Sequence, residues 1–318
     1  MAALSPGNLI GPGVGAILAL AVLGFVGFES AVVFSEESKD PRRTVPTATY
    51  IAVGGTALLY AFGSWAMTVA TGPDQIVARS RAEGPDLVFH LAQGHLGSTA
   101  VAVGQVLFAT SIVAAMISFH NTTARYMFAL GRERVLPAAL ARITRRGNAP
   151  RNASLVQSGI GLAVIVTYAA GGWDPMTRLF FWCGTSGGLG VLILITATAI
   201  AVPIFFTRHP NAENTWRSVT APVTALLALL VVLYLAIGNF GTLLGVPPGH
   251  PLAWAIPTTL LAVGASGFGW GLILRATQPA VYAAIGLGAK APHIGTGRIP
   301  ARRTGVHHHI PTWPENRR

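Results

Sequence analysis

The amino-acid sequence predicts an all-α integral membrane protein with about seven transmembrane helices. Three observations carry that reading. Of 318 residues, 52% are apolar and only 10% are charged, against about 25% charged residues in a typical soluble domain. A chain so poor in charge cannot cover a water-facing surface and must be solvated by lipid. Lys, Arg, Asp and Glu are absent from 44–73, 96–119, 152–173, 179–207, 218–249 and 251–274, and each stretch exceeds the roughly 20 residues that cross a bilayer. Finally, the basic residues fall on alternate connections between these stretches.

The spans follow in order at about 14–34, 48–70, 98–119, 153–171, 179–206, 219–244 and 252–274. The first is apolar except for Glu29, and the segment before it, MAALSPGN, lacks the positively charged start of a signal peptide. Pro203, Pro222 and Pro257 lie inside spans, which membrane helices tolerate because neighbouring helices re-satisfy the freed backbone groups. Residues 1–274 form the membrane domain, and 275–318 form a basic tail rich in Pro and Arg that is expected to be disordered.

The net charge of +11 raises the possibility of nucleic acid. The basic residues, however, sit in short connectors between apolar runs, a membrane-topology pattern, so no nucleic-acid partner is expected. The connections 35–47, 120–151, 207–218 and 275–318 hold 19 of the 22 Lys and Arg residues, and the opposite face holds Arg79, Arg81 and Arg178. This asymmetry predicts a multi-pass protein of the cell membrane with its N-terminus outside and its C-terminus in the cytoplasm. The odd number of spans agrees independently. The single cysteine, Cys183, excludes an intramolecular disulfide framework and a cysteine-based zinc site.

Of eleven acidic residues, only Glu29 falls well inside a span. An ionised group at mid-bilayer costs about 2.5–3.5 kcal/mol on insertion scales, which makes such a residue a functional candidate. The plainer alternative places Glu29 near the cytoplasmic end, hydrogen-bonded to a neighbouring helix or to water. Around it the sequence reads GFVGFES, residues 24–30. Two glycines in one turn weaken a helix. A break at mid-depth is tolerated where the freed backbone lines a cavity or binds a ligand. By the glycine pattern alone, close helix packing through a small-residue seam is the favoured reading.

The connector that follows, EESKDPRRTVP at 36–46, starts a turn at Asp40-Pro41 and leads through Thr44 to Pro46 into the second span. Taken together, Gly27-Phe28-Glu29, Glu36-Glu37, Asp40-Pro41-Arg42-Arg43 and Val45-Pro46 resemble the region of amino acid–polyamine–organocation permeases from the broken sixth helix into the seventh. A second stretch, TARYMFALGRERVLPAALARI at 123–143, reads as an Arg-rich amphipathic helix on the cytoplasmic face. It too resembles the family, in the loop after the eighth helix, through Arg125, Phe128, Ala129, Gly131, Arg132, Glu133, Leu136 and Pro137. NAPRNA at 148–153 is similar to the start of the ninth helix. The resemblance covers about 14–274.

The resemblance implies a LeuT-type fold of two inverted five-helix repeats, with substrate held where the broken first and sixth helices meet. Residues 14–206 would be the second repeat, and 219–274 the two further C-terminal helices. The family's first five helices, with their glycine-rich substrate-carboxylate motif, have no counterpart in this sequence. The chain is therefore expected to be either a truncated permease or a half that needs a partner. The implied function is secondary transport of an amino acid or related amine by alternating access, with no covalent chemistry, catalytic residue, metal or cofactor. By the same resemblance, the carbonyls of Leu23, Gly24, Phe25, Val26 and Gly27 would receive a substrate ammonium group, aided by a half-helix C-terminal dipole. Phe25 would pack on the substrate. Glu29 would be a coupling or gating carboxylate, or one that fixes the helix.

Two other classes fit less well. A seven-helix receptor, or a structural membrane protein without transport, shares the span count but leaves the ordered motifs unexplained. A retinal protein needs a lysine in its last span, whereas the lysines here are Lys39 and Lys290. For a membrane enzyme, His90 and His95 lack the spacing of a helical zinc motif, and His307, His308 and His309 sit in the basic tail. Trp65, Trp182 and Trp254 read as interface anchors or packing residues, with a gate role open for Trp182.

Overall fold

The computed structural model describes residues 13–144, 149–208 and 214–288. Every regular element among them is helical, and one isolated antiparallel bridge joins Ile143 to Pro150. Seven helical segments are long and apolar enough to cross a membrane: Val14–Phe34, Pro41–Thr71, Ile76–Arg132, Arg151–Ala170, Pro175–Arg208, Trp216–Gly238 and Leu252–Thr277. Their number and order agree with the seven expected spans.

The first segment is two pieces. Helix α1 (Val14–Leu23) ends at Gly24, and a tighter 3₁₀ helix runs from Phe28 to Phe34. Helix α2 (Pro41–Thr71) begins seven residues before its expected span, with Pro41 in its first turn and Pro46 inside it. Proline is suited to a first helical turn, where its missing N–H would have no partner anyway. A short outer helix α3 (Ile76–Glu83) then leads to α4 (Leu87–Arg132), which bends sharply at Gly97 (φ 81°, ψ 174°). From 98 to 132 the chain rises about 50 Å at 1.5 Å per residue, well beyond a hydrocarbon core of ~30 Å. The Arg-rich stretch at 123–143 is thus not a separate surface helix. Its first half is the projecting end of α4, and its second half is a turn and a short 3₁₀ stretch at Ala138–Ala141. Arg134 sets the stop: its left-handed backbone (φ 59°) lets its own N–H donate to the Gly131 carbonyl at 3.2 Å and the Val135 N–H donate to the Leu130 carbonyl at 3.0 Å, closing the helix end.

Helices α5 (Arg151–Ala170) and α6 (Cys183–Arg208) are separated by a wide π-type turn at Pro175–Trp182. Helix α7 (Ala221–Gly238) follows a second such turn at Trp216–Thr220, where Pro222 has no N–H to bond the Ser218 carbonyl. The sixth span was expected to reach 244, but α7 stops at Gly238 and a single turn, α8 (Phe240–Leu243), resumes after Asn239. There the Asn239 side-chain amide donates to the Leu235 carbonyl at 2.8 Å, a local bond that competes with the helical ladder. Helix α9 (Leu252–Thr277) and a short α10 (Pro279–Ala284) complete the described chain. The first part of the expected disordered tail is therefore helical, with Val281 and Ala284 buried. Residues 289–318, including His307 to His309, lie outside the described residues.

The core is small, as befits helices that turn most of their surface to lipid. Ala19, Leu189, Leu192, Ala236, Phe240 and Leu244 form one buried cluster that joins α1, α6, α7 and α8. Close approach is achieved by glycine. A Cβ on Gly15 would lie 2.9 Å from the Asn239 amide nitrogen, and one on Gly188 would lie 3.0 Å from Leu23 Cδ2. In lipid, where apolar faces gain little by meeting each other, such small-residue contacts determine which faces pack. The two halves of the first span therefore belong to different groups. Helix α1 packs on α6, α7 and α8, whereas Phe28–Phe34 packs on α2 and α4.

Candidate functional site

The junction between those groups is the four-residue turn Gly24-Phe25-Val26-Gly27. It is tightened rather than uncoiled. Phe25 N–H donates to the Val22 carbonyl at 3.0 Å, Val26 N–H to Leu23 at 3.2 Å, Phe28 N–H to Phe25 at 3.2 Å, and Ser30 N–H to Gly27 at 3.0 Å. The carbonyls of Leu23, Phe25 and Gly27 thus each hold one internal bond and keep a second lone pair for another donor. At Gly27 the backbone turns to φ 114°, ψ −14°, a left-handed conformation that residues with a Cβ rarely adopt. This one residue redirects the chain from the α1 axis into the Phe28–Phe34 helix. Gly27 itself makes no close helix contact of the kind seen at Gly15 and Gly188.

Glu29 closes the turn from below. Its carboxylate Oε2 accepts the Gly27 N–H at 2.9 Å, reaching back over the first turn of the 3₁₀ helix as a capping-box carboxylate does. The negative charge also faces the positive end of that short helix. Glu29 is half-buried, and its position in the span leaves it beside the break rather than remote from it.

The sequence reading missed Tyr60. It projects from the middle of α2, donates its hydroxyl to the Gly24 carbonyl at 3.0 Å, and sets its ring edge-on to Phe25 with centroids 5.8 Å apart. A Cβ on Gly24 would come within 3.3 Å of Tyr60 Cε2, so the glycine leaves room for the ring. The available signal was a tyrosine hydroxyl at mid-span, which in hydrocarbon must find an acceptor. Which acceptor it finds depends on how α2 faces α1. Of the five expected backbone positions, Gly24 and Phe25 are therefore held by Tyr60, Gly27 is held by Glu29, and Leu23 packs against Gly188. Val26 lies in the turn between them.

Beyond the break, the two sequence motifs meet at one end of the molecule. Arg132 forks onto Glu36, with Nη2 to Oε1 at 2.9 Å and Nη1 to Oε2 at 3.2 Å. Arg125 pairs with Glu37 and lies over the Phe34 ring, 4.5 Å from its centroid. Two ion pairs thus clasp the end of the 28–34 helix to the projecting end of α4. Beneath them is a cavity of about 720 Å³ whose lining includes Val32, Ser35, Tyr126 and Pro150. At the far end of the molecule, Trp182 donates its indole N–H to the Leu244 carbonyl at 3.2 Å and packs on the core cluster, so its described contacts are structural.

An uncharacterized transporter of Mycobacterium tuberculosis (strain ATCC 25618 / H37Rv) is 28% identical over 155 residues, covering 46% of this chain and 32% of the relative. The branched-chain amino acid permease of Bacillus subtilis (strain 168) is 23% identical over 233 residues, covering 72% and 46%. The low-affinity putrescine importer of Escherichia coli (strain K12) is 28% identical over 114 residues, covering 36% and 24%. The chain therefore spans less than half the length of each of these relatives. No solved structure matches it. The family model described as amino acid permease matches residues 3–266, nearly the whole membrane part, and this multi-pass membrane chain belongs to the amino acid permease family.

Proposed function

We propose that this chain supplies one half of a secondary transporter for amino acids or related amines, working by alternating access. The observation that carries the reading is the break at Gly24–Gly27, which joins a half-helix packed on α6, α7 and α8 to a half-helix packed on α2 and α4. A substrate bound at such a joint touches both groups at once. Its binding energy can then bias their relative position, as alternating access requires. The second lone pairs of Leu23, Phe25 and Gly27 receive the substrate ammonium group at the negative end of α1. Phe25 covers the substrate, and Tyr60 holds Phe25 and the Gly24 carbonyl in place. Glu29 fixes the turn and stands where a proton taken up or released would alter it. The relatives named for branched-chain amino acids and for putrescine support an amino acid or amine as cargo.

In this reading 14–206 is the second five-helix repeat, and α7 to α9 carry the two additional helices. The opposing half-site comes from a five-helix unit that the sequence does not contain. The asymmetry of Lys and Arg supports a cytoplasmic position, at the cell membrane, for the clasped end with Arg125 and Arg132. The test is uptake of a radiolabelled amino acid mixture into vesicles holding this chain alone, beside vesicles in which a homologous five-helix N-terminal half is restored. Uptake only with the restored half is expected. Uptake by the chain alone overturns the half-site reading, and no uptake in either overturns the transport reading.

A further inference from the structure

The turn after α4 is held from a second direction. Glu133 Oε1 accepts the N–H of Gly286 at 3.1 Å and the N–H of Gly288 at 3.3 Å. Both glycines have positive φ, 82° and 55°, a backbone form that curls the segment after α10 around one carboxylate oxygen. Gly288 also lies against the clasp. A Cβ there would be 2.7 Å from Glu36 Oε1 and 3.6 Å from Arg132 Nη2. Nearby, the Trp270 indole N–H of α9 donates to the Val135 carbonyl at 3.0 Å. The α9–α10 end is thus fastened to the turn at Glu133 to Val135, and its last described residue touches the pair Glu36–Arg132.

We infer that residues 285–288 form a regulatory strap: docked on Glu133, it braces the Glu36–Arg132 clasp and disfavours movement of the Phe28–Phe34 half-helix away from α4. Glu133 is the adaptor. It directly follows Arg132 at the end of α4, so the carboxylate that anchors the strap and the guanidinium that anchors the half-helix move as one unit. The fit at Gly288 admits no side chain without displacing the Glu36 carboxylate. A segment that leaves Glu133 therefore frees the space into which Glu36 can swing. The inference rests on the half-helix being the moving part of the transport reading, but its test needs no transport.

A cysteine introduced at Ser35, which lines the cavity under the clasp, reports clasp opening through its rate of labelling by a bulky, membrane-impermeant maleimide. The native Cys183, exposed at the start of α6, is replaced by serine in every variant, so that Ser35→Cys is the thiol that reacts. Glu36→Gln is expected to raise the Ser35→Cys labelling rate by opening the clasp directly. Glu133→Ala and Gly288→Val are each expected to raise it by on the order of fivefold, the size of effect that loss of one ordinary, solvent-exposed hydrogen bond supplies. Neither should add to the rise already present with Glu36→Gln. If Glu36→Gln labels faster while Glu133→Ala and Gly288→Val label at the unmodified rate, the strap is overturned alone. If Glu36→Gln changes nothing, the mobile clasp falls and the strap falls with it. If Glu133→Ala adds its full effect on top of Glu36→Gln, the strap does not act through the clasp, and that also overturns the inference.

Discussion

Replacing Gly27 by alanine tests the break directly. A Cβ at this position meets open space, the nearest atom being Phe119 Cζ at 4.0 Å, so no clash is introduced. What changes is the backbone. At φ 114° an alanine is held outside its favoured regions, at a cost of about 1–3 kcal/mol, or roughly five- to 150-fold in the population of the bent form. Gly55 is the control. It lies inside α2, where an added Cβ would meet nothing within 4 Å, and alanine there favours the helix by up to about 1 kcal/mol. The two substitutions should therefore move stability in opposite directions. The assay is the denaturant midpoint of the purified chain in mixed micelles, followed by helical circular dichroism. Gly27→Ala should unfold earlier and Gly55→Ala later than the parent. If Gly27→Ala is as stable as the parent or more so, the first span is a continuous helix and the half-site argument fails.

Three further predictions follow from the contacts around the break and the outer turn. Tyr60→Phe keeps the ring against Phe25 and removes only the hydroxyl bond to Gly24; stability should fall by about 0.5–1.5 kcal/mol, and in a complete homologue the substrate KM should rise, whereas an unchanged KM argues that Tyr60 does not position the turn. Glu29→Gln keeps an acceptor for the Gly27 N–H and should preserve folding better than Glu29→Ala; in a complete homologue, an unchanged transport rate and pH dependence for Glu29→Gln would exclude a coupling role and leave the carboxylate as the fixing group of the turn. Asp174 caps the turn before α6, and hydrogen bonds from Thr177 hold its carboxyl below the usual aspartate range. Because the folded form is the stronger acid, the cap's contribution is complete above the ordinary pKa of about 3.9 and fades as pH falls through the lower folded value. Asp174→Ala should flatten the acid side of the stability–pH curve, and a curve identical to the parent's would show that the cap contributes nothing.

The seven spans and the family motifs were legible in the residues, and the break in the first span followed from the family resemblance. Span count depends on the length of charge-free stretches, such as 179–207, and a bilayer reads that length directly. Gly24 and Gly27 by themselves pointed to close packing, and the break was legible only through the resemblance carried by Gly27-Phe28-Glu29 and the motif that follows it. The tertiary structure decided what those features touch. Tyr60 could be known to need an acceptor, but not that it would be the Gly24 carbonyl. Glu36 and Arg132 lie 96 residues apart, and nothing in either local pattern names the other. The strap at Gly286 and Gly288 lies in a stretch that reads as tail, and the Glu133 carboxylate gives it an address. Hydrophobic length and charge are properties of a segment, whereas pairing depends on which helix faces meet. In lipid those faces are almost equally apolar, so the sequence by itself determined how many spans the chain has, and the packed structure decided where most of them bend and which side chains close on one another.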